Sequence, residues 1–192
     1  EGFFLLNGVP RIFVVPGDGD LKEEEALRLA DKAAMEKYGF YKEDVTLRGV
    51  NYYYTQDKPE ERLWNVRYSL MIWQYDCSVT LNRKGEVIDY WQMKGASGPY
   101  PHPAMKPEDA LMLAKRTLIE RGYVTGDTLN AWAVHQSYKV EDGVLLMQVT
   151  FMAGANGGKY KSGLTVEIDD AKGTVKNIID LDTRQSLITA EP

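Results

Sequence analysis

The sequence predicts an α+β fold of two tandem repeats, each with one helix packed on an antiparallel sheet of about four strands. Two segments, EALRLADKAAMEKYGF from Glu25 and DALMLAKRTLIERGY from Asp109, share nearly the same pattern of alanine, leucine and charge. After each segment, apolar residues recur at every second position, as they do in strands. A helix that covers one face of a sheet buries the apolar surfaces of both elements.

The two helices are predicted from apolar residues at 3.6-residue spacing. Each helix has one such face, at positions 26, 27, 30, 33 and 34 in the first and at 110, 111, 114, 117 and 118 in the second. Asp20 and Glu23 have the spacing of a capping box, and Pro107 is expected at the first position of the second helix. Gly39 and Gly122 are predicted to end the helices in the left-handed conformation.

Strand-like runs follow each helix. In the first repeat they are VTLRGVNYYY, LWNVRYSL, YDCSVTLN and EVIDYW, and in the second LNAWAVHQSYKV, VLLMQVTFM, SGLTVEID and TVKNIIDL. The segments NRKGE and DDAKGT are expected to form tight hairpins with glycine at a positive φ. We therefore predict repeats at residues 20–92 and 106–192, joined by a linker at 93–105 that is rich in proline, glycine and serine.

Residues 1–19 precede the first repeat and are predicted to form a hairpin around Asn7-Gly8. Its strands resemble the hairpin that closes the first repeat, which leaves two interpretations. The segment is either the end of a further repeat upstream or an edge hairpin that caps the first sheet. The chain starts at Glu1 without a methionine or a signal peptide, so we expect a mature or shortened form of the protein.

Composition excludes several classes of protein. Apolar residues make up 44% of the chain and charged residues 27%, which is ordinary for a globular domain. The net charge of −5 disfavours a nucleic-acid partner, because such binding needs a basic face. No run of apolar residues approaches the roughly 20 that a membrane-spanning helix needs. Cys77 has no second cysteine to pair with, so no internal disulfide forms.

Motifs for common chemistries are incomplete in this chain. The segment GANGGKY (154–160) has Tyr160 where a phosphate-binding loop needs serine or threonine. Asp18 and Asp20 lack the remaining ligands of a calcium loop. A zinc or nucleophile site would need His102, His135 and Cys77 to meet in space. We therefore predict no catalytic residue, no cofactor and no metal site.

The aromatic residues are the remaining candidates for binding. Tyr52 and Tyr54 share one face of a predicted strand, and three tryptophans lie in or near strands, namely Trp73, Trp91 and Trp132. Aromatic side chains on an exposed sheet face can stack on sugars or on extended peptides. Packing in the core or between the repeats is the alternative interpretation.

Both repeats resemble the PepSY domain. The first has W-x-V-x-Y at Trp64, Val66 and Tyr68 and then VTLNRKGEVIDY, and the second has LMQVTF and LTVEIDDAKGTVKNI. The resemblance covers most of the chain and implies a small cystatin-like fold outside the bacterial cytoplasm. Some PepSY domains are propeptides that chaperone or inhibit a thermolysin-like protease. The family has no catalytic residues to transfer, and this chain lacks the HExxH motif of such a protease.

Together these observations predict a non-catalytic, exported bacterial protein of tandem PepSY-like modules. Its expected role is to bind or regulate a protein partner, such as a peptidase or another component of the cell envelope. A glycan- or peptide-binding module that uses an exposed aromatic sheet face is the alternative. An enzyme of unrecognised type is the third possibility, because cystatin-like sheets can host catalysis in their concave face.

Overall fold

The computed structural model describes residues 3–6, 9–96, 98–154 and 162–188. The chain divides into two compact units, Glu1–Tyr100 and Pro101–Pro192, and the division falls within the predicted linker. Each unit has a helix packed on an antiparallel sheet, which confirms the predicted α+β fold. The Asn7-Gly8 turn and most of the GANGGKY segment lie outside the described residues. Among the described residues, no helix has the length and apolar character needed to cross a bilayer.

The described part of the first unit contains a six-stranded sheet whose strands follow one another in sequence order. The strands are β1 (Phe3–Leu6), β2 (Val9–Phe13), β3 (Val45–Thr55), β4 (Lys58–Leu70), β5 (Cys77–Asn82) and β6 (Val87–Gln92). Because β2 pairs with β3, the N-terminal hairpin extends the sheet at one edge. This arrangement agrees with the edge-hairpin interpretation, whereas the derivation from an upstream repeat stays a prediction.

Helix α1 (Glu23–Tyr38) packs across β4 and β5. Ala26, Ala30 and Ala34 are fully buried on its inner face, and their small side chains let the helix lie close to the sheet. The opposing surface includes Val66 and Val79, which are also fully buried. The predicted amphipathic face is therefore the one that covers the sheet.

The start of α1 differs from the prediction. The helix begins at Glu23 with Lys22 as its N-cap, and no side chain caps it. Asp20 instead accepts a hydrogen bond from the Gly17 backbone N–H at 2.9 Å. The capping-box prediction was wrong because distant arginines of the sheet, described below, hold this carboxylate away from the helix. Gly39 ends α1 at a φ of 78°, as predicted.

A polar contact also ties α1 to the sheet. The Tyr68 hydroxyl of β4 donates to Asp31 Oδ1 of the helix at 2.9 Å. Arg48 of β3 lies 3.3 Å from Asp31 Oδ2. Tyr68 is fully buried, whereas Asp31 and Arg48 are partly exposed. The three side chains form a bridge between one helix and two strands.

The described part of the second unit contains a four-stranded sheet in the order β10-β9-β8-β7. Its strands are β7 (Ala133–Glu141), β8 (Val144–Ala153), β9 (Ser162–Asp169) and β10 (Thr174–Asp180). Helix α2 (Pro107–Glu120) covers β8 and β9, and it buries Ala110, Ala114 and Leu118. Pro107 is its first residue and Gly122 follows its end at a φ of 73°, as predicted.

The run LNAWAVHQSYKV is only partly a strand. Its first residues belong to the short helix α3 (Gly126–Asn130), and β7 begins at Ala133. Thr125 caps α3 by accepting a hydrogen bond from the Thr128 N–H. This local cap favours a helical turn over the strand that the apolar alternation predicted.

The two sheets have the same register. In both units the final strand has one unpaired residue, Ile88 in β6 and Lys176 in β10. Tyr90 and Ile178 each lie two residues beyond the bulge, so they hold equivalent positions in their strands. The residues paired with them across each sheet are then equivalent too, and they form the rows Val50-Val66-Val79-Tyr90 in the first unit and Gln136-Val149-Val166-Ile178 in the second. Residues can therefore be compared position by position between the units.

Candidate functional site: an exposed aromatic edge

Strand β6 is the last strand of the first sheet, and it is exposed over most of its length. Four large apolar side chains remain partly accessible, namely Val87 (37%), Ile88 (51%), Tyr90 (40%) and Trp91 (43%). Single exposed apolar residues are ordinary, but four within one edge strand mark a strand that another molecule can cover. An edge strand also offers unpaired backbone groups to a partner.

The end of α1 supports β6 from the helix side. The Tyr38 hydroxyl donates to the Trp91 carbonyl at 3.2 Å, and the Tyr38 ring meets the Tyr90 ring edge-on at 6.1 Å. The Lys37 ammonium lies 5.7 Å from the centre of the Tyr90 ring. Burial raises the pKa of Tyr38 to about 12, with smaller contributions from nearby Cys77, Tyr90 and Asp89. Tyr38 therefore stays protonated and remains a donor at neutral pH.

Trp73 lies at the same end of the sheet as Trp91. It belongs to a 3-10 helix, Trp73–Tyr75, in the loop between β4 and β5, and 57% of its surface is exposed. Asp76 fixes this loop by accepting the Leu70 N–H at Oδ1 (2.9 Å) and the Met93 N–H at its carbonyl oxygen (2.9 Å). We call Trp73, Val87, Ile88, Tyr90 and Trp91 together the aromatic edge.

Two of the predicted binding residues, Tyr52 and Tyr54, do not form an exposed platform. Tyr52 is only 4% exposed, and its ring stacks on that of Trp64 with centroids 4.6 Å apart. Burial, together with the neighbouring Asp20 carboxylate, raises the pKa of Tyr52 to about 12. Tyr54 is half-buried and pairs with Ile12 of the N-terminal hairpin. Tyr52 lies on the face that α1 covers and packs there with Trp64.

Trp132, the last of the predicted residues, belongs to the second unit. It is half-buried in the turn between α3 and β7, where its backbone N–H donates to the Leu129 carbonyl at 3.2 Å. The structure thus brings Trp73 and Trp91 together in one unit and places Trp132 in the other.

The sequence-based prediction considered Tyr90 among the aromatic residues but did not include Val87 and Ile88. The run EVIDYW is rich in β-branched and aromatic residues, as buried strands are, so the local sequence does not predict that it is exposed. A signal exists in its position: it is the last run before the predicted linker, and the last strand of a meander lies at an edge of the sheet.

Asp20 is a carboxylate with two arginine partners in the first unit. Its side chain is almost completely buried, with Arg83 at 2.8 Å from Oδ1 and Arg62 at 3.5 Å from Oδ2. The hydrogen bond from the Gly17 N–H lowers the pKa of Asp20, with help from Arg83 and Arg62, although burial alone acts in the opposite direction. The carboxylate stays ionised and ties the segment before α1 to β4 and to the β5–β6 hairpin.

Glu167 has the same role in the second unit. It is buried on the sheet face opposite α2, where it lies 2.7 Å from Lys139 and accepts hydrogen bonds from Gln148 (3.0 Å) and Asn177 (3.3 Å). Burial would raise the pKa of Glu167, but these partners together lower it. With Gln148 and Asn177 the ion pair links the four strands β7 to β10, and Glu167 stays charged.

Cys77, His102 and His135 are the residues that the sequence offered for a zinc or nucleophile site. Cys77 is fully buried in β5, and burial raises the pKa of its thiol to about 12. Both histidines are exposed and belong to the second unit. Within the residues that the structure describes, no three histidine, cysteine, aspartate or glutamate side chains are close enough to hold a metal ion.

A cleft of about 320 Å³ lies between the β5–β6 turn and the start of β4. Its lining alternates in charge, with Glu60, Glu61 and Glu86 beside Arg62, Arg83 and Lys84. Because charges of both signs are equally represented, this cleft has no field that would select an ionic ligand of one sign.

No family model matches this sequence, and no curated protein is similar to it.

Proposed function

We propose that this protein is a non-catalytic, exported bacterial protein of two PepSY-like modules, and that it binds a protein partner through the aromatic edge. The proposed partner is a peptidase or another component of the cell envelope. The observation that carries the proposal is the exposure of four large apolar side chains along β6, which form two pairs on either side of Asp89. Aromatic residues are enriched where proteins bind each other, because they bury a large area at a small entropic cost.

The charged groups support a binding role over a catalytic one. A general acid or base at neutral pH needs a pKa shifted toward 7. The pKa values of Asp20 and Glu167 are shifted in the opposite direction. Hydrogen bonds and cationic partners lower the pKa of each carboxylate, although burial acts against this. Each lies in an ion pair that joins structural elements, so each is a structural charge.

Two matched variants test the surface. Ile88→Lys places a charge on the aromatic edge, and Leu47→Lys places the same charge on β3, where Leu47 is at least as exposed. Both positions are exposed apolar strand residues of the first unit, so the two variants have similar effects on folding. Trp91→Ala is the third variant, since it removes the ring without adding a charge.

The full chain and the three variants are each immobilised and exposed to solubilised bacterial cell-envelope proteins. Retained proteins are identified by mass spectrometry, purified, and titrated against each variant. We expect at least one purified partner to bind the unmodified chain and Leu47→Lys equally. We expect Ile88→Lys and Trp91→Ala to weaken it by about tenfold or more, which corresponds to about 1.4 kcal/mol.

Equal affinity of all four forms would refute the aromatic edge as the binding surface. Failure of the unmodified chain to bind any purified envelope protein would refute the proposed function. A parallel titration with soluble cell-wall glycan fragments separates the classes of ligand. Binding of these fragments that is lost in Trp91→Ala and kept in Leu47→Lys would replace the protein partner by a glycan.

A further inference from the structure

The second unit pairs the outer side of its own last strand, β10, with a later segment of the same unit. After β10 the chain turns back along the outer side of that strand. The Asp180 N–H donates to the Gln185 carbonyl at 3.0 Å, and the Leu187 N–H donates to the Ile178 carbonyl at 2.7 Å. An antiparallel bridge joins Ile179 and Ser186 between these bonds. Residues 185–187 thus act as a short added strand.

A side chain outside the sheet holds this added strand in place. The Tyr123 hydroxyl, just after α2, donates to the Leu187 carbonyl at 3.0 Å. The Ser186 hydroxyl also bonds to Asn177 of β10. The edge of the second sheet is therefore paired by the chain itself, in the antiparallel orientation.

The chain takes another path after β6. The Met93 N–H bonds back to Asp76 at the end of the sheet, and the Tyr100 N–H bonds to the Tyr38 carbonyl at the end of α1. In the described part of the first unit, no strand pairs with the outer side of β6. The position that residues 185–187 hold in the second unit has no counterpart there.

The backbone geometry identifies the groups that face this open side. In an antiparallel ladder the hydrogen-bonded pairs alternate along the strands. Since Met93 bonds to Asp76, the next hydrogen-bonded pair is Trp91 with Ser78, and the backbone groups of Tyr90 and Gln92 point outward. Tyr90 and Gln92 lie two and four residues beyond the Ile88 bulge. Ile178 and Asp180, which bond the added strand, lie at the same distances beyond Lys176.

We propose that an extended peptide segment of a partner protein adds to β6 as an antiparallel strand, in the position that residues 185–187 hold beside β10. This inference rests on the proposed function and specifies how the partner binds. The backbone groups of Tyr90 and Gln92 bond the segment, and the side chains of Tyr90 and Trp91 select apolar residues on its two faces. The bulge at Ile88 restricts the pairing to the C-terminal half of β6, because a bulge interrupts the ladder.

A library of random octapeptides, displayed individually and screened against the full-length chain, tests this mode of binding. The selection is run in parallel against Trp91→Ala, and peptides enriched only on the unmodified chain are synthesised. Each backbone amide of a synthesised peptide is then N-methylated in turn. N-methylation removes one donor and blocks close approach of a strand, while the side chains stay the same.

We expect N-methylation to weaken binding by about tenfold or more at every second amide, and by about threefold or less at the amides between them. A period of two is the signature of a strand that bonds to an edge with alternate residues. In amide exchange experiments, a bound peptide is expected to protect the N–H groups of Tyr90 and Gln92.

Peptides that depend on Trp91 but tolerate N-methylation without any period would overturn strand addition and leave the proposed protein-binding function standing. Failure to enrich any peptide on the unmodified chain over Trp91→Ala would also overturn the inference. The envelope-protein titration decides the proposed function separately, because a partner can bind the aromatic edge with a folded surface.

Discussion

Replacing Tyr68 by phenylalanine tests whether the contact between α1 and the sheet is a stabilising charged hydrogen bond. The change removes only the hydroxyl that donates to Asp31 at 2.9 Å. Tyr68 is fully buried, so no water replaces the hydroxyl at the ring, while the fold keeps the apolar packing of the ring. Asp31 loses one donor and keeps Arg48 at 3.3 Å.

The expected loss of stability depends on the charge of the hydrogen-bond acceptor. Hydrogen bonds to charged groups contribute about 1.5–3 kcal/mol to stability, compared with about 0.5–1.5 kcal/mol for neutral ones. Asp31 is partly exposed, so water can solvate the released carboxylate oxygen. We therefore expect Tyr68→Phe to lower the free energy of unfolding by about 1.5 kcal/mol, at the lower end of the charged range.

The second unit offers two matched controls. Tyr138→Phe removes a buried hydroxyl whose bond to the Met105 carbonyl is 3.4 Å long and neutral, so we expect a loss of about 0.5 kcal/mol. Phe151 stands two residues beyond Val149, the position that Tyr68 holds beyond Val66, and Lys115 is the helix residue that aligns with Asp31. Phe151→Tyr therefore adds a hydroxyl at a fully buried position where the aligned helix residue is not a carboxylate, and we expect it to give no stabilisation like that of the Tyr68 hydroxyl.

Urea unfolding followed by far-UV circular dichroism, with the fluorescence of the tryptophans as a second probe, measures these differences. A double-mutant cycle of Tyr68→Phe with Asp31→Asn isolates the coupling between the two side chains. If Tyr68→Phe costs no more than Tyr138→Phe, or if the two changes are additive, the charged bridge does not stabilise the fold and the reasoning fails.

Three further predictions concern other parts of the fold. Asp20→Asn should destabilise the protein at pH 7. This difference should shrink as the pH falls below about 4, because the stability that comes from the lowered pKa of Asp20 is lost as the pH falls from the unfolded pKa through the folded one. Urea titrations at several pH values check this prediction, and a constant difference would contradict it. Gly85→Ala should lower the free energy of unfolding by at least about 2 kcal/mol and Gly173→Ala by about 1 kcal/mol. Both glycines have a positive φ, but only the Cβ at position 85 would lie 2.6 Å from the Leu29 side chain. Thermal unfolding ranks the two variants, and the reverse order would be inconsistent with this packing. The Cys77 thiol is fully buried, and burial raises its pKa to about 12. It should therefore react with a thiol reagent only after unfolding. Rapid labelling of the native protein would contradict this prediction, because it would show that β5 is accessible.

The helices and strands were predictable because their signals are local. Alanines at Ala26, Ala30 and Ala34 define a helical face whichever surface covers it, and a glycine such as Gly39 ends a helix through its own backbone freedom. One exception arose where distant residues intervened. Asp20 has the spacing of a capping residue, but Arg83 and Arg62 bind it from the sheet, and no local pattern identifies those arginines as its partners.

The candidate site was only partly predictable for a related reason. Alternation places Tyr52 and Tyr54 on one face of β3, but it does not tell which face the helix covers. Tyr52 is buried because it lies on the covered face. Trp91 and Tyr90 remain accessible because β6 is the last strand in the described sheet of the first unit, and which strand is last depends on the order of strands in the sheet.

By itself, the sequence determined the repeated helix, the strand periods and the glycine turns, since these depend on torsion angles and on side-chain spacing within a few residues. The tertiary structure alone decided that residues 185–187 pair with the edge at β10, whereas in the described part of the first unit no strand pairs with the outer side of β6. Strand pairing joins residues through backbone groups, which every residue except proline has in full. The letters of the sequence therefore do not identify which strand edge stays open, and the open edge is where we place the function of this protein.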